Sequence, residues 1–393
     1  MLKTFASTPI LLLALVAAED GKDYGIPNWS CDAEVMKKSK TKPINVHSLR
    51  FADIDIIGAL GDSLTAGNGA GAAVNDAVAV LIQYRGLPFG IGGDKSLDEH
   101  VTLTNILKKF NPNLFGYSTG TGSANVWQTA HLNTAIPGAA TVDLYGQAGD
   151  LIRRMKEHPE IDFQNQWKLI HIFIGANDIC DWCDYPDMVS DQHFRDNLNK
   201  AVQLLKDNLP KTIVVLVGMF DLSLLRKIDK DKYFCDKLHA VECPCEQEFD
   251  FPTEDISAQC KRYMSVEQEL MDGRFDTTDD FTLVIQPFFE EITEPPMTPD
   301  GEPDLTFFAP DCFHFSAYGH AVVAKALWNN IVQPVGMKDR YANLTDLSGA
   351  LACPDKKLIV FLDNEPLEAY LMKKKRHTTA IRDPTTAKET RDF

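Results

Sequence analysis

Residues 58–71 have the sequence Gly58-Ala59-Leu60-Gly61-Asp62-Ser63-Leu64-Thr65-Ala66-Gly67-Asn68-Gly69-Ala70-Gly71. The preceding residues 51–57 are mostly apolar, with Asp53 and Asp55 in alternation, which predicts a β-strand that runs into a glycine-rich turn. The Ala-, Val- and Leu-rich residues 72–83 predict a helix after the turn. A serine between a strand and a helix presents its hydroxyl at the sheet edge, near backbone N–H groups that can bind negative charge. Ser63 is therefore the first candidate for a catalytic residue.

Two common glycine-rich motifs do not fit this stretch. The nucleophile elbow of the α/β-hydrolases has glycine two residues after its serine, whereas this chain has Thr65 there. A phosphate-binding loop continues with lysine followed by serine or threonine, and no such pair follows these glycines. The alternative interpretation is a plain glycine-rich turn in an α/β protein, and the motifs in the rest of the sequence have to decide between the two.

Length and charge exclude some classes of protein. The chain has 393 residues, which would allow two domains, although α/β folds often use this length as one. Its formal net charge of -17 argues against nucleic-acid binding, because a phosphate backbone would repel it. Binding to a membrane surface is not excluded, since the charge of a local surface patch can differ from the net charge of the chain.

The first eighteen residues have the pattern of a secretory signal peptide. Lys3 supplies the positive start, residues 10–16 the apolar core, and Val16-Ala17-Ala18 the small-residue cleavage site. A membrane anchor is the alternative, but the apolar run is too short to span a bilayer easily. We therefore expect a secreted chain that begins near Glu19, with no transmembrane anchor.

Nine cysteines fit an exported protein: Cys31, Cys180, Cys183, Cys235, Cys243, Cys245, Cys260, Cys312 and Cys353. Most should form disulfides there, and the odd number leaves at least one without an intramolecular partner. The two closely spaced cysteine pairs at 180/183 and 243/245 could also suggest zinc, but few histidines are nearby and the compartment favours disulfides. Asn28 and Asn343 each begin a glycosylation sequence.

Alternating strands and helices predict an α/β fold with a parallel sheet. Buried-strand patterns cover residues 167–174, 211–218 and 281–287. Helical patterns cover residues 102–110, 142–158, 194–209, 259–273 and 317–330. Residues 221–259 are charged and cysteine-rich, which indicates an excursion held by disulfides rather than a second domain. The tail, residues 364–393, is polar and predicted to be disordered.

Four further polar or glycine positions follow the predicted strands or lie in turns. Gly138 lies in a small-residue turn, Asn177 ends the strand at 167–174, and Asp311 and His314 are three residues apart in a loop. Each has a simple alternative: an ordinary turn glycine, an Asx turn, or a turn with a surface histidine. Arg85 follows the first helix and is either a charge partner near the site or a surface arginine.

Turns at the carboxyl edge of one parallel sheet can converge. An acyl-transfer site would then be formed by Ser63, Gly138, Asn177, Asp311 and His314. His314 would take the proton of the Ser63 hydroxyl and later protonate the leaving alcohol. Asp311 would orient the imidazole and stabilise its cationic form. The oxyanion of the tetrahedral intermediate would be bound by the backbone N–H groups of Ser63 and Gly138 and by the side-chain amide of Asn177.

These motifs, in this order, resemble the four blocks of the GDSL, or SGNH, family of serine esterases and lipases. The blocks are Gly-Asp-Ser-Leu at 61–64, Gly138, Gly-Ala-Asn-Asp at 175–178, and Asp311 with His314. Within that family the chain is most similar to the animal phospholipase B1 type, over residues 48–353. The wider features that carry this similarity are residues 61–71, Gln83-Tyr84-Arg85-Gly86, Gly92-Gly93-Asp94, residues 118–122, residues 174–183, residues 286–290 and residues 307–316.

The resemblance implies the SGNH-hydrolase fold, a flavodoxin-like three-layer sandwich with a central parallel sheet, for residues 19–363. It implies a calcium-independent phospholipase B or lysophospholipase that needs no cofactor or metal and contacts a lipid surface transiently. An SGNH carboxylesterase for short acyl esters and a catalytically silent lipid-binding homologue are the alternatives. The larger family members resemble tandem repeats followed by a membrane anchor, whereas we expect a single unit without an anchor here. Cys260 has no counterpart in the family pattern and is the candidate for the unpaired thiol.

Overall fold

Four parallel strands lie side by side in chain order in the computed structural model, which describes residues 22–230, 232–247 and 252–355. The strands are β1 (Ile54–Gly61), β2 (Trp167–Phe173), β3 (Thr212–Val217) and β4 (Phe281–Gln286). Nearly all of their residues are buried, as expected for a parallel sheet that is covered on both faces. Single bridges from Phe115 and Asn133 to β1 extend its free edge.

Helices connect and cover the strands. In chain order they are α1 (Ser63–Ala66), α2 (Leu103–Phe110), α3 (Trp127–Ala130), α4 (Leu144–Glu157), α5 (Ala176–Cys180), α6 (Asp191–Asn208), α7 (Leu225–Asp229), α8 (Tyr233–Glu242), α9 (Pro244–Gln247), α10 (Thr253–Glu269) and α11 (Ala317–Ile331). Short 3-10 turns precede several of them. None of the helices in the described part of the chain has the length and apolar content that crossing a bilayer requires.

Two hydrophobic cores lie on opposite faces of the sheet. Apolar side chains of α4, α6 and α10 pack with alternate residues of the strands, such as Leu60 and Ile172, to form one core. The other core joins α2 and α11 to the residues that point the opposite way, such as Ala59 and Phe173. The result is the helix–sheet–helix sandwich with a central parallel sheet that the sequence predicts.

The predicted helix over residues 72–83 is wrong. This segment contains turns and a single 3-10 helix, Ala77–Leu81, capped by the side chain of Asp76. An antiparallel bridge from Asn68 to Gln83 closes it into a loop. Val74, Val78 and Leu81 are exposed by 75–78%, so its apolar residues do not form the buried stripe that would stabilise a helix.

Four disulfides confirm that the cysteines pair rather than bind zinc. Cys31–Cys353 ties the start of the described chain to its end. The other three, Cys180–Cys243, Cys183–Cys245 and Cys235–Cys312, attach residues 235–245 to the segments around α5 and residue 312. Cys260 is free and buried, which confirms it as the unpaired thiol. The predicted signal peptide (residues 1–18) and the tail predicted to be disordered (364–393) lie outside the described residues, and these predictions and the single-domain boundary remain untested.

Candidate active site

Ser63 is the first residue of α1, directly beyond the carboxyl end of β1. The sharp change of direction depends on Gly61, because a Cβ at that position would lie 2.5 Å from the carbonyl oxygen of Phe173. Asp62 then caps the helix, its carboxylate accepting a hydrogen bond of 2.9 Å from the N–H of Leu64. Ser63 is consequently held at the sheet edge with 7% of its surface exposed.

The loop that carries Asp311 and His314 brings both residues to Ser63. The Nε2 atom of His314 lies 2.7 Å from the Oγ of Ser63, and its Nδ1 lies 2.5 Å from Oδ2 of Asp311. The second carboxylate oxygen, Oδ1, accepts the N–H groups of Phe313 (3.1 Å) and His314 (3.0 Å). Asp311 is fully buried, so its orientation is fixed. A continuous hydrogen-bonded chain therefore runs from Asp311 through His314 to Ser63.

The charges within the hydrogen-bonded series of Asp311, His314 and Ser63 favour a charged imidazole next to a charged carboxylate. Burial is the largest single effect on the pKa of His314 and lowers it, but the charge and hydrogen bond of Asp311, together with the charges of Glu242 and Asp62, outweigh burial, so that the net shift is upward. Burial likewise opposes ionisation of Asp311, yet the charge of His314 and the hydrogen bonds it receives hold its pKa below the usual value. The imidazolium that a general base forms is thus stabilised in place.

Gly138 and Asn177 lie together beside the same edge of the sheet. The amide nitrogen of Asn177 donates to the carbonyl of Ala139 at 2.9 Å, so that the side chain reaches the turn that Gly138 forms. Gly138 has a φ of +77°, which favours glycine, and it is exposed. Two residues before it, Ile136 donates to the carbonyl of Gly61 at 3.2 Å. The structure therefore gathers all five candidate residues at the carboxyl edge of the sheet.

Arg85 is buried and joins neighbouring loop segments by hydrogen bonds, so the surface-arginine alternative is wrong. Its side chain is fully buried and donates to the carbonyls of Gly122 (2.8 Å), Asn133 (3.1 Å) and Ala135 (2.9 Å). Burial lowers its pKa to about 10. These bonds fix the segment that leads from the edge of β1 toward Gly138. Its role as a charge partner of the site is not supported, since its hydrogen bonds go to these carbonyls and to Gln83.

Glu242 is a carboxylate at this site that the sequence does not reveal. One of its oxygens lies within 4.8 Å of ligand atoms of Asp311 and His314. Both ring nitrogens of His314 are already bonded, to Asp311 and Ser63, which makes this trio a poor metal site. A second trio of Asp229, His239 and Glu246 has the same spacing. No periodicity or motif links position 242 to a loop that begins some seventy residues later.

A cavity of about 900 Å³ lies against the loop of Asp311. Ala309, Pro310 and Cys312 form part of its wall, and residues 70–75, shortly after α1, form another part. Most of its lining is apolar, and the exposed aromatic residues Tyr233 and Phe234 stand at its edge. This volume and lining suit a small-molecule or acyl-chain ligand.

Comparison with known protein families gives an extended match. The model of the GDSL-like lipases and acylhydrolases matches residues 57–327. The membrane-associated phospholipase B1 of Homo sapiens is 44% identical over 306 residues, which are 76% of this chain and 21% of the relative. That of Mus musculus is 43% identical over 324 residues, 81% of this chain and 22% of the relative. The chain thus spans about a fifth of the length of these relatives.

Solved structures with a distant likeness carry related descriptions. A GDSL-like lipase structure from Parabacteroides merdae has a TM-score of 0.37 and 13% identity, and the match covers 72% of this chain and 96% of that one. An acetyl xylan esterase from Geobacillus stearothermophilus has a TM-score of 0.34 and 17% identity, with 70% and 94% covered.

Proposed function

This chain belongs to the GDSL-like lipase and acylhydrolase family, and we propose that it is a phospholipase B or lysophospholipase that uses Ser63 as its nucleophile. The observation that carries the proposal is the hydrogen-bonded chain from Asp311 through His314 to Ser63. A serine hydroxyl is a weak nucleophile until an adjacent base removes its proton, and this geometry supplies that base.

The reaction would proceed through an acyl-enzyme. The Oγ of Ser63 attacks the ester carbonyl while its proton moves to Nε2 of His314, and the imidazolium then protonates the leaving alcohol. Water, activated by the same imidazole, releases the fatty acid and restores Ser63. Each proton transfer uses groups already in hydrogen-bond contact, so we propose a reaction that requires neither calcium nor a cofactor.

The tetrahedral intermediate needs hydrogen-bond donors for its oxyanion. We assign this role to the backbone N–H groups of Ser63 and Gly138 and to the side-chain amide of Asn177. One N–H of Asn177 is held by Ala139, which orients the amide and leaves the other N–H to donate to a substrate. Three donors on rigid turns at a sheet edge would be preorganised for the transition state.

Replacing Asn177 with alanine should lower kcat by about 100- to 1,000-fold while changing KM much less. The donor matters most when the oxyanion forms, so its loss raises the barrier more than it weakens substrate binding. Steady-state kinetics on a soluble ester measure both constants. Asn199→Ala, on the adjacent helix α6, is the control for loss of an asparagine amide and should keep wild-type kcat. A rise in KM alone would contradict the role assigned to Asn177.

Lipid substrates are supported by two observations. The cavity beside Asp311 is lined mainly by small apolar and aromatic groups, and its edge exposes Tyr233 and Phe234. The relatives with 43–44% identity are named as phospholipases. We propose that an acyl chain occupies this cavity and that the exposed aromatic residues make transient contact with the lipid surface.

Secretion is supported by the four disulfides, which form and persist in oxidising compartments. Asn28 and Asn343, the two glycosylation candidates, are both exposed. We propose that the mature chain is an extracellular glycoprotein formed by a single hydrolase domain.

Product analysis tests the proposed function. The enzyme would be incubated in EDTA with a phosphatidylcholine that carries two distinguishable acyl chains, in parallel with Ser63→Ala. We expect the wild type to release both fatty acids and the variant to release neither. Restoration of a lost activity by calcium would contradict the metal-independent reaction. A rate that peaks on acetyl esters in a chain-length series would instead identify a short-chain carboxylesterase, and binding of lipid without turnover of any ester would identify a silent homologue.

A further inference from the structure

Glu242 is a carboxyl group that lies next to the imidazole and has no assigned role in the steps above. It is the last residue of α8, and one of its oxygens lies within 4.8 Å of ligand atoms of both Asp311 and His314. Its Oε2 atom is buried and has no hydrogen-bond partner among the described residues. A buried carboxyl oxygen without a partner is costly, so its position beside a charged site is not explained by stability alone.

Two disulfides, one at each end of α8, hold this helix against the site. Cys235, in the first turn of the helix, is bonded to Cys312, which lies between Asp311 and His314 in the chain. Cys243, the residue after Glu242, is bonded to Cys180 at the end of α5, the helix that also carries Asn177. The start of α8 is therefore tied to the loop of His314, and the residue after Glu242 is tied to α5, so both ends of the helix are held at the site.

The titratable groups around Glu242 and His314 come from four elements. Asp311 and His314 face it from their loop, and His239 lies one turn earlier on α8. His239 is itself paired with Asp229 at 2.8 Å. Asp62, the N-cap of α1, also raises the pKa of His314 through its charge. Burial and the Asp311 charge raise the pKa of Glu242 to about 7, against the opposing effect of the two histidines.

We propose that Glu242 is a positioning residue whose negative charge, together with that of Asp311, stabilises the imidazolium form of His314. The proposal rests on the proposed serine-hydrolase function. Glu242 exchanges no proton with the substrate: the proton still moves from Ser63 to Nε2 and on to the leaving oxygen. Its contribution is electrostatic, and it is strongest when the carboxyl group is ionised.

The sign of the pH effect follows from this arrangement. An anion within about 4–6 Å of an imidazole raises its pKa by about 1–3 units. Glu242 has a raised pKa, so it becomes charged as the pH rises through neutrality, and that charge then increases the basicity of His314. Removing it should lower the pKa of His314 and shift the acidic limb of kcat/KM to lower pH. It should also reduce the plateau rate, because the imidazolium of the transition state loses a stabilising charge.

Glu242→Gln tests this without changing the size of the side chain. The primary measurement is an NMR titration of the His314 imidazole, identified by its absence in His314→Gln, which does not depend on turnover. We expect the pKa of His314 to fall by about 1 unit. The second measurement is the pH profile of kcat/KM on a soluble ester, where we expect the same downward shift of the acidic limb and a plateau about tenfold lower.

Asp236→Asn is the matched control, because it removes a carboxylate of the same helix that is paired with Lys237 instead. It should leave both the titration and the profile unchanged, and Glu242→Asp should recover part of the wild-type pKa. An unchanged His314 pKa in a folded Glu242→Gln variant would overturn the proposal. Wild-type protein that hydrolyses no ester would refute the proposed function, and the titration would still decide whether Glu242 acts on His314.

Discussion

Ser63→Ala should abolish ester hydrolysis, with a loss of about 10⁶-fold in kcat, while the fold stays intact. The hydroxyl is the atom that would form the acyl-enzyme, and no other hydroxyl is seen in contact with His314 in the described chain. The stability effect should be small. Ser63 Oγ makes one observed side-chain hydrogen bond, to His314, and alanine suits the first turn of α1.

The measurement is single-turnover and steady-state hydrolysis of a soluble ester, with thermal unfolding as the check on folding. Thr65→Val is the matched control, since Thr65 lies on the same short helix and its hydroxyl has no hydrogen-bond partner in the described structure. The control should retain activity. If Ser63→Ala keeps more than a few per cent of wild-type kcat, the serine mechanism is wrong, whatever the substrate.

The sheet could be predicted from the sequence because each strand has a simple signal. The strands that begin at Trp167, Thr212 and Phe281 are mostly apolar runs, typical of a parallel sheet that is buried on both faces. Residues 72–83 have an equally apolar composition but form a loop. The bridge from Asn68 to Gln83 closes this loop, and its apolar side chains are left exposed instead of forming one buried helix face, which composition alone does not reveal.

The site was predictable to the extent that its residues lie at strand ends. Ser63 and Asn177 directly follow β1 and β2, and parallel strands bring their carboxyl ends to one edge. Glu242 has no such marker, because it reaches the site through disulfides whose pairing cannot be deduced from cysteine spacing. Arg85 shows the opposite case. A lone arginine in a glycine-rich loop has the sequence context of a surface residue, and only the three carbonyls that surround it explain its burial.

The loop that carries Asp311 and His314 is also held from outside the sheet. Asp311 and His314 follow β4 by about 25 residues, so the strand alone does not fix their position. Cys312, between them, has a φ of +63° and is bonded to Cys235 of α8. The charged, cysteine-rich segment of residues 221–259 therefore contributes to the site by anchoring this loop through Cys235.

Asp311→Asn should lower kcat by about 10⁴-fold with little change in the overall fold. In the wild type, Oδ1 accepts two backbone N–H groups, and Oδ2 accepts the proton on Nδ1 of His314. An asparagine would keep its oxygen toward the two N–H donors and turn its NH₂ group toward Nδ1. The imidazole would then carry its proton on Nε2, where it cannot accept the proton of Ser63. The barrier would rise by about 5.5 kcal/mol.

Kinetics and the low-field NMR signal of the Nδ1 proton would be measured together for this variant. We expect that signal in the wild type and its loss in Asp311→Asn, because the proton has moved to the other ring nitrogen. Asp53→Asn is the control: its buried carboxylate accepts bonds from Ser39 and Arg50 far from the site, so it should cost stability without a comparable loss of rate. Activity of Asp311→Asn within tenfold of wild type would mean that Asp311 does not set the tautomer. Glu242 would then be the carboxylate on which the imidazolium depends, and the double variant Asp311→Asn with Glu242→Gln should lose the activity that the single variant kept.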